Sequence, residues 1–227
     1  MENYYSSAAR FPVGVDCIIF GLVGGSLCLL LTRRSFEPAK GEWSLMGGFV
    51  DADESVDDAA RRVLRQLTGL ENIYMEQVGA FGEVDRDPGD RVVSVAYFAL
   101  LGASEYDSER LEAHAAEWVD LAELPDLCFD HPRMIRAALE QLRAKISLNP
   151  ISFNLLPEMF TLSQLQALHE TILGRSIDKR NFRKRIAELN CIERTGAIDK
   201  SSRRGAALYR FNTEVYKTTH NFKINSK

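Results

Sequence analysis

The 227-residue chain is 45% hydrophobic and 26% charged with a net charge of −4, the make-up of an ordinary globular protein long enough for one large or two modest domains. No apolar run reaches the roughly 18 residues needed to span a bilayer and nothing resembles a signal peptide, so no membrane partner and a cytoplasmic location are expected. Cys17, Cys28, Cys128 and Cys191 are scattered without a Cys-x-x-Cys pair, which argues against zinc or a disulfide framework and for reduced thiols.

Val13 to Val23 and Leu27 to Arg33 are apolar, β-branched runs broken by Gly24-Gly25, the pattern of a β-hairpin. Trp43-Ser44-Leu45 precedes Gly47-Gly48, read as a turn. Val56, Ala59, Ala60, Val63, Leu64 and Leu67 then recur at helical spacing, so an amphipathic helix is predicted from Ser55 to Thr68, ended by Gly69. Val78 to Phe81 and Arg91 to Leu101 return to strand composition on either side of the turn-rich Asp85 to Asp90, Glu117 to Leu121 is a short strand, and His131 to Ile146 is a helix. Asn149-Pro150 breaks that helix.

The charge shifts at the same point. Residues 1–150 hold 14 Lys and Arg against 25 Asp and Glu, a balance of −11, whereas residues 151–227 hold 14 against 7, a balance of +7. Two domains with different partners are therefore expected, residues 1–148 and 149–227, the second drawn to a polyanion. In it, Thr161 caps a helix with an apolar stripe of Leu162, Leu165, Leu168, Ile172 and Leu173 that stops at Gly174. Asp178 caps a second helix, Lys179 to Leu189, whose Phe182, Ile186 and Leu189 face inward, leaving Lys179, Arg180, Arg183 and Lys184 outside. Two strands, Cys191 to Arg194 and Ala207 to Phe211, flank a basic loop carrying Arg203 and Arg204. A helix-turn-helix followed by such a loop has the layout of a winged helix that places its second helix in a DNA major groove.

The stretch Gly48 to Leu70, GFVDADESVDDAARRVLRQLTGL, resembles a Nudix box. Gly48, Glu54, Arg62, Leu64, Gly69 and Leu70 fall in register with the family pattern, but Val63, Gln66 and Leu67 stand where it has glutamates. A Nudix hydrolase holds hard divalent cations on those carboxylates, and the cations polarise the phosphoryl oxygens and activate water. Val and Leu offer no lone pairs and Gln66 no charge. No catalytic residue, resident metal or cofactor is therefore expected, and Gly48, Glu54, Arg62 and Gly69 are read as structural, with Glu54 and Arg62 bracing the loop against the helix. Asp51, Asp53, Asp57 and Asp58 are read as favouring the positive end of the helix dipole. The rival reading is an active diphosphate hydrolase whose metal ligands have moved onto these acids and Glu54.

A degenerate Nudix domain followed by a basic winged helix resembles the Nudix-related transcriptional regulators nearly end to end, supported by GEVDRDPGDRVVSVAYFA (82–99) and RRGAALYRF (203–211). The resemblance implies an α+β fold, a Nudix-type α/β/α sandwich followed by a small winged helix-turn-helix. It implies a small-molecule sensor that binds double-stranded operator DNA as a homodimer. Two basic helices about 34 Å apart would read an imperfect palindrome. Lys179, Arg203 and Arg204 would fix register on phosphates, and Arg180, Asn181, Arg183 and Lys184 would reach base edges.

Some members of that family answer to ADP-ribose and others to sugars. A diphosphate needs Arg, Lys or backbone N–H groups, and the acidic first domain disfavours a dianion. The whole chain resembles the arabinose-responsive branch most, which with the charge argument implies a neutral pentose such as L-arabinose as the effector of a repressor of carbohydrate metabolism, with Trp43, Phe81, Glu83, Asp85 and Arg86 as candidate contacts and ADP-ribose, controlling NAD metabolism, as the alternative. A third possibility is a DNA-binding protein that senses nothing.

Overall fold

A computed structural model describes residues 6–102, 108–147, 149–200 and 205–215. In chain order the elements are β1 (Val13–Val23), β2 (Ser26–Arg33), β3 (Trp43–Ser44), β4 (Met46–Phe49), α1 (Val56–Thr68), β5 (Tyr74–Phe81), β6 (Val93–Leu101), α2 (Ser108–Ala113), β7 (Ala116–Asp120), α3 (His131–Ile146), α4 (Leu162–Leu173), α5 (Lys179–Glu188), β8 (Ile192–Asp199) and β9 (Ala206–Phe211).

β1 is the centre of a mixed sheet. It runs parallel to β6 from Val13↔Val93 to Gly21↔Leu101 and antiparallel to β2 and β4. The continuous apolar runs of β1, β2 and β6 follow from covering on both faces. Val15, Cys17, Ile19, Leu30, Tyr97 and Ala99 turn to one side, where α1 packs with Ala59, Ala60, Val63, Leu64 and Leu67. Ile18, Phe20, Leu29, Leu31, Phe98 and Leu100 turn to the other, against Met134, Ile135, Ala138 and Leu142 of α3. The result is an α/β/α sandwich.

α1 is closed at both ends by local chemistry. Ser55 caps it by accepting from the Asp58 N–H, and Gly69, at φ 75°, donates its N–H to Arg65 O. Gly47 and Gly48, expected to turn the chain, instead lie within β4 and pair with Asp16 and Val15 of β1. Glycine is required there for closeness: a Cβ on Gly47 would come within 2.6 Å of Val15 O. α2 and a 3-10 helix over Pro150–Leu155 carry no strong periodicity, and the pattern reading does not reach them.

The second unit is a winged helix. Thr161 and Gln164 form a reciprocal capping box at the start of α4, and Asp178 caps α5 through the Asn181 N–H. β8 and β9 form the wing hairpin, anchored at its base by two backbone bonds between Phe160 and Tyr209 (2.9 and 2.8 Å). Its strands extend further than expected from composition, and Arg203 and Arg204 lie outside the described residues. The core does not divide where the charge does. Ile151, Leu155, Phe160, Leu165, Leu168 and Ile172 join the same apolar cluster as Phe20, Leu29 and Phe98, so the winged helix packs on the same face of the sheet as α3.

Candidate functional site

β1 pairs with β4 over Gly14–Cys17 and with β2 over Phe20–Val23, so the sheet forks midway along it. A cavity of about 450 Å³ opens in the fork. Its size is that of a small-molecule site.

The floor is a buried polar network. Arg86, only 8% exposed, sets Nε and Nη2 on Asp130 Oδ1 at 3.1 and 2.8 Å and lies 3.5 Å from Asp16 Oδ2. Ser94 Oγ donates to Asp16 Oδ2 at 2.6 Å, and His131 Nε2 is 3.5 Å from Asp16 Oδ1. Burial pushes the Asp16 carboxyl up, but His131, Ser94 and Arg86 outweigh it and hold it below the ordinary value. Burial likewise opposes charge on His131, and its partners Asp16 and Cys128 outweigh it and raise its pKa. The Leu45 N–H, 3.2 Å from His131 Nδ1, works the other way because it needs a lone pair there.

The rim is cationic and aromatic. Arg33 ends β2, Arg34 follows it, and both line the cavity. Arg33 lies over the Trp43 ring at 4.0 Å, and Arg34 over Phe36 at 4.4 Å and Phe129 at 4.9 Å. Their side chains donate to backbone carbonyls, Arg33 to Gly41 O (3.0 Å) and Arg34 to Pro38 O (2.8 Å). Among the described residues neither forms an ion pair, so two guanidiniums stand at the mouth with charge uncompensated. Phe49, 59% exposed, faces the same opening.

Of the five side chains expected to hold an effector, Arg86 alone lines this cavity. Trp43 supports Arg33 from behind. Phe81 is buried, with Arg133 over its ring. Glu83 pairs with Arg133 at 3.2 Å and, with Asp85, borders an adjoining hollow. Asp16, Arg33, Arg34, Ser94 and His131 escape the sequence reading; the Arg33-Arg34 doublet ending an apolar strand is the signal that could have found two of them.

The box helix does not fit a hard cation. Val63 and Leu67 are buried and Gln66 points to solvent. Glu54 accepts from Arg62 Nε at 3.0 Å and from the Asp51 N–H at 2.8 Å, and Arg62 also donates to Phe49 O at 2.8 Å. Asp57 accepts from the Tyr97 hydroxyl, and Asp58 from Ser55 and Arg61. Among the described residues no group of three or more His, Cys, Asp or Glu side chains is placed to share a metal ion.

On the winged helix, Lys179, Arg180, Arg183 and Lys184 are exposed on α5 and, among the described residues, form no ion pair. Asn181 is exposed on the flank of α5 nearest the linker, the 3-10 helix Pro150–Leu155 between α3 and α4, where it borders a 360 Å³ hollow with Arg185 and His169. His169 joins the linker to both helices. Its Nε2 meets Ser152 Oγ at 3.0 Å, and its ring packs edge-on to Phe182 of α5.

Residues 10–138 match the NUDIX domain family, and residues 152–211 match the NrtR DNA-binding winged helix domain. The chain is 37% identical over 221 residues to the ADPR responsive transcriptional repressor NtrR of Acinetobacter baylyi, spanning 95% of this chain and 88% of that protein. It is similar to the crystal structure of Shewanella oneidensis NrtR complexed with a 27mer DNA, with a TM-score of 0.82 and 32% identity over 90% of this chain and 95% of that one. It is also similar to the NUDIX domain of that protein complexed with ADP ribose, with a TM-score of 0.50 and 30% identity over 62% of this chain and 93% of that domain. No helix among the described residues is long and apolar enough to cross a membrane.

Proposed function

The chain belongs to the NUDIX family, in the form that carries an NrtR-type winged helix, and from that membership we propose that it is a DNA-binding transcriptional repressor whose cavity binds ADP-ribose without hydrolysing it. The observation that carries the choice of ligand is the Arg33-Arg34 pair at the cavity mouth, held over aromatic rings and, among the described residues, in no ion pair. A diphosphate supplies the missing negative charge in the forked geometry a guanidinium favours. Asp16 and the Arg86 pair beneath are suited to the hydroxyls of a ribose, and Phe49 offers a face for adenine.

This replaces the pentose reading, and with it arabinose and carbohydrate metabolism. That expectation rested on a resemblance to the arabinose-responsive branch and on the acidity of the whole first domain, whereas a ligand meets the local field, and here the mouth is basic. The relatives also favour the ADP-ribose alternative. α5 would enter the major groove and a homodimer would present two such helices, ADP-ribose weakening the fit to DNA. Val63, Gln66 and Leu67 support binding without turnover, since the box offers no carboxylate cluster for magnesium.

Thermal unfolding with added ligand tests this. ADP-ribose at a hundred times its dissociation constant adds about 2.7 kcal/mol of stability, and L-arabinose adds none. Stabilisation by arabinose with no response to ADP-ribose would reverse the assignment, and steady AMP release in magnesium would make the protein an enzyme.

A further inference from the structure

We infer that α3 is the element through which the cavity acts on the DNA-binding unit, with the Arg86–Asp130 pair as the ligand-sensitive latch at its start and Arg143 as its grip on α4. The inference rests on the ADP-ribose reading of the cavity and deepens it.

The start of α3 lies in the cavity wall. His131 is its first residue, and Asp130 occupies the position before it, where an aspartate ordinarily accepts from the helix's free N–H groups. Asp130 makes no such side-chain bond: its carboxylate is turned onto Arg86, Pro132 carries no N–H, and the Arg133 N–H donates to the Asp130 backbone carbonyl at 2.9 Å. An anion that recruits Arg86 releases the Asp130 carboxylate, which belongs to the same residue whose backbone carbonyl accepts from the Arg133 and Met134 N–H groups at the helix start (2.9 and 3.2 Å). Arg86 paired with Asp130 and Arg86 turned to an anion are alternatives, which gives the helix start two states for a ligand to choose between.

The body of α3 transmits rather than absorbs a shift. Met134, Ala138 and Leu142 are fully buried and Ile135 and Ile146 nearly so, locked into the core shared by sheet and winged helix. Sixteen residues at 1.5 Å each carry that rigid stretch about 24 Å. At the far end Arg143 Nε donates to Ile172 O at 2.8 Å, satisfying a carbonyl in the last turn of α4. Just beyond, Arg185 of α5 donates to Ser147 O at 3.3 Å. Both helices of the DNA-binding pair are therefore tied to the end of α3, while its start answers to the cavity.

The test is the ratio of DNA affinities without and with saturating ADP-ribose, measured on the full chain for wild type, Arg143→Met, Arg143→Lys and Arg136→Met, the last an exposed arginine on the same helix. Wild type is expected to show a ratio in the ordinary range for allosteric coupling, about 5- to 150-fold. Arg143→Met should bind ADP-ribose and DNA separately yet bring the ratio towards one. Arg143→Lys, which keeps a donor, should recover part of it, and Arg136→Met should match wild type. A ratio unchanged in Arg143→Met, or lost equally in Arg136→Met, overturns the role of α3 while leaving the ligand assignment intact. A wild-type ratio of one overturns the ligand reading itself. If Arg143→Met does not fold, hydrogen exchange on the wild type decides. ADP-ribose should alter protection over residues 143–147 and 172–175, and unchanged protection there overturns the inference.

Discussion

The guanidinium of Arg33 sits over the indole of Trp43, 4.0 Å from the ring centroid, at the mouth of the cavity. The aromatic face fixes the cation without neutralising it, so the charge is oriented and available. Charge-assisted hydrogen bonds are worth about 1.5–3 kcal/mol each, so Arg33→Ala or Arg34→Ala should weaken ADP-ribose binding by roughly ten- to a hundredfold in calorimetry. DNA affinity without ligand should not change. Equal ligand affinity in both variants would place the diphosphate elsewhere.

Gly47→Ala should lower stability and damage the cavity together. The added methyl would meet Val15 O at 2.6 Å and Asp16 Oδ1 at 2.7 Å, and forcing β4 off β1 should cost roughly 1–3 kcal/mol by analogy with overpacking. A fall in the urea midpoint accompanied by weaker ADP-ribose binding is expected. A variant as stable as wild type would mean that this strand pairing gives way easily.

Acid should loosen the joint between linker and winged helix. Burial, with Arg185 adding repulsion, holds the His169 pKa down at about 4, against 6.5 for a free imidazole. The folded protein therefore prefers neutral His169. Its contribution is fully present above pH 6.5 and is lost as pH falls from about 6.5 towards 4, which between pH 7 and 4.5 amounts to about 2 kcal/mol. Urea unfolding of wild type and His169→Gln over that range should show the steeper loss in wild type, and parallel curves would contradict it.

Arg183→Ala and Lys184→Ala should each raise the dissociation constant for DNA. For each phosphate that α5 no longer neutralises, the slope of log affinity against log salt should shrink by about one. ADP-ribose affinity should be untouched. Unchanged DNA binding and an unchanged salt slope would remove α5 from the interface.

The two helices of the winged unit are legible in the sequence to within a residue because their punctuation is local: Thr161 and Gln164, Gly174 and Asp178 each act within one turn. α1 is legible for the same reason. The pocket is not, because its parts come together only by tertiary pairing: Asp16 from β1, Arg33 from β2, Ser94 from β6 and His131 from α3. Gly47-Gly48 misleads because a glycine pair suits a tight turn as well as a close strand approach, and only the pairing with β1 distinguishes them. Composition misleads in a related way. A balance of −11 over residues 1–150 describes the surface average, while Arg33 and Arg34 set the field at one opening.

Control of DNA binding in the second domain by a diphosphate ligand in the first is the step on which the proposed function turns. It is tested most directly by titrating the full chain onto a palindromic duplex, selected from a random library by the protein itself, with and without ADP-ribose at fixed salt. Saturating ADP-ribose is expected to weaken the complex by about 5- to 150-fold, and L-arabinose to do nothing. DNA affinity indifferent to ADP-ribose, or responsive to arabinose instead, would contradict it.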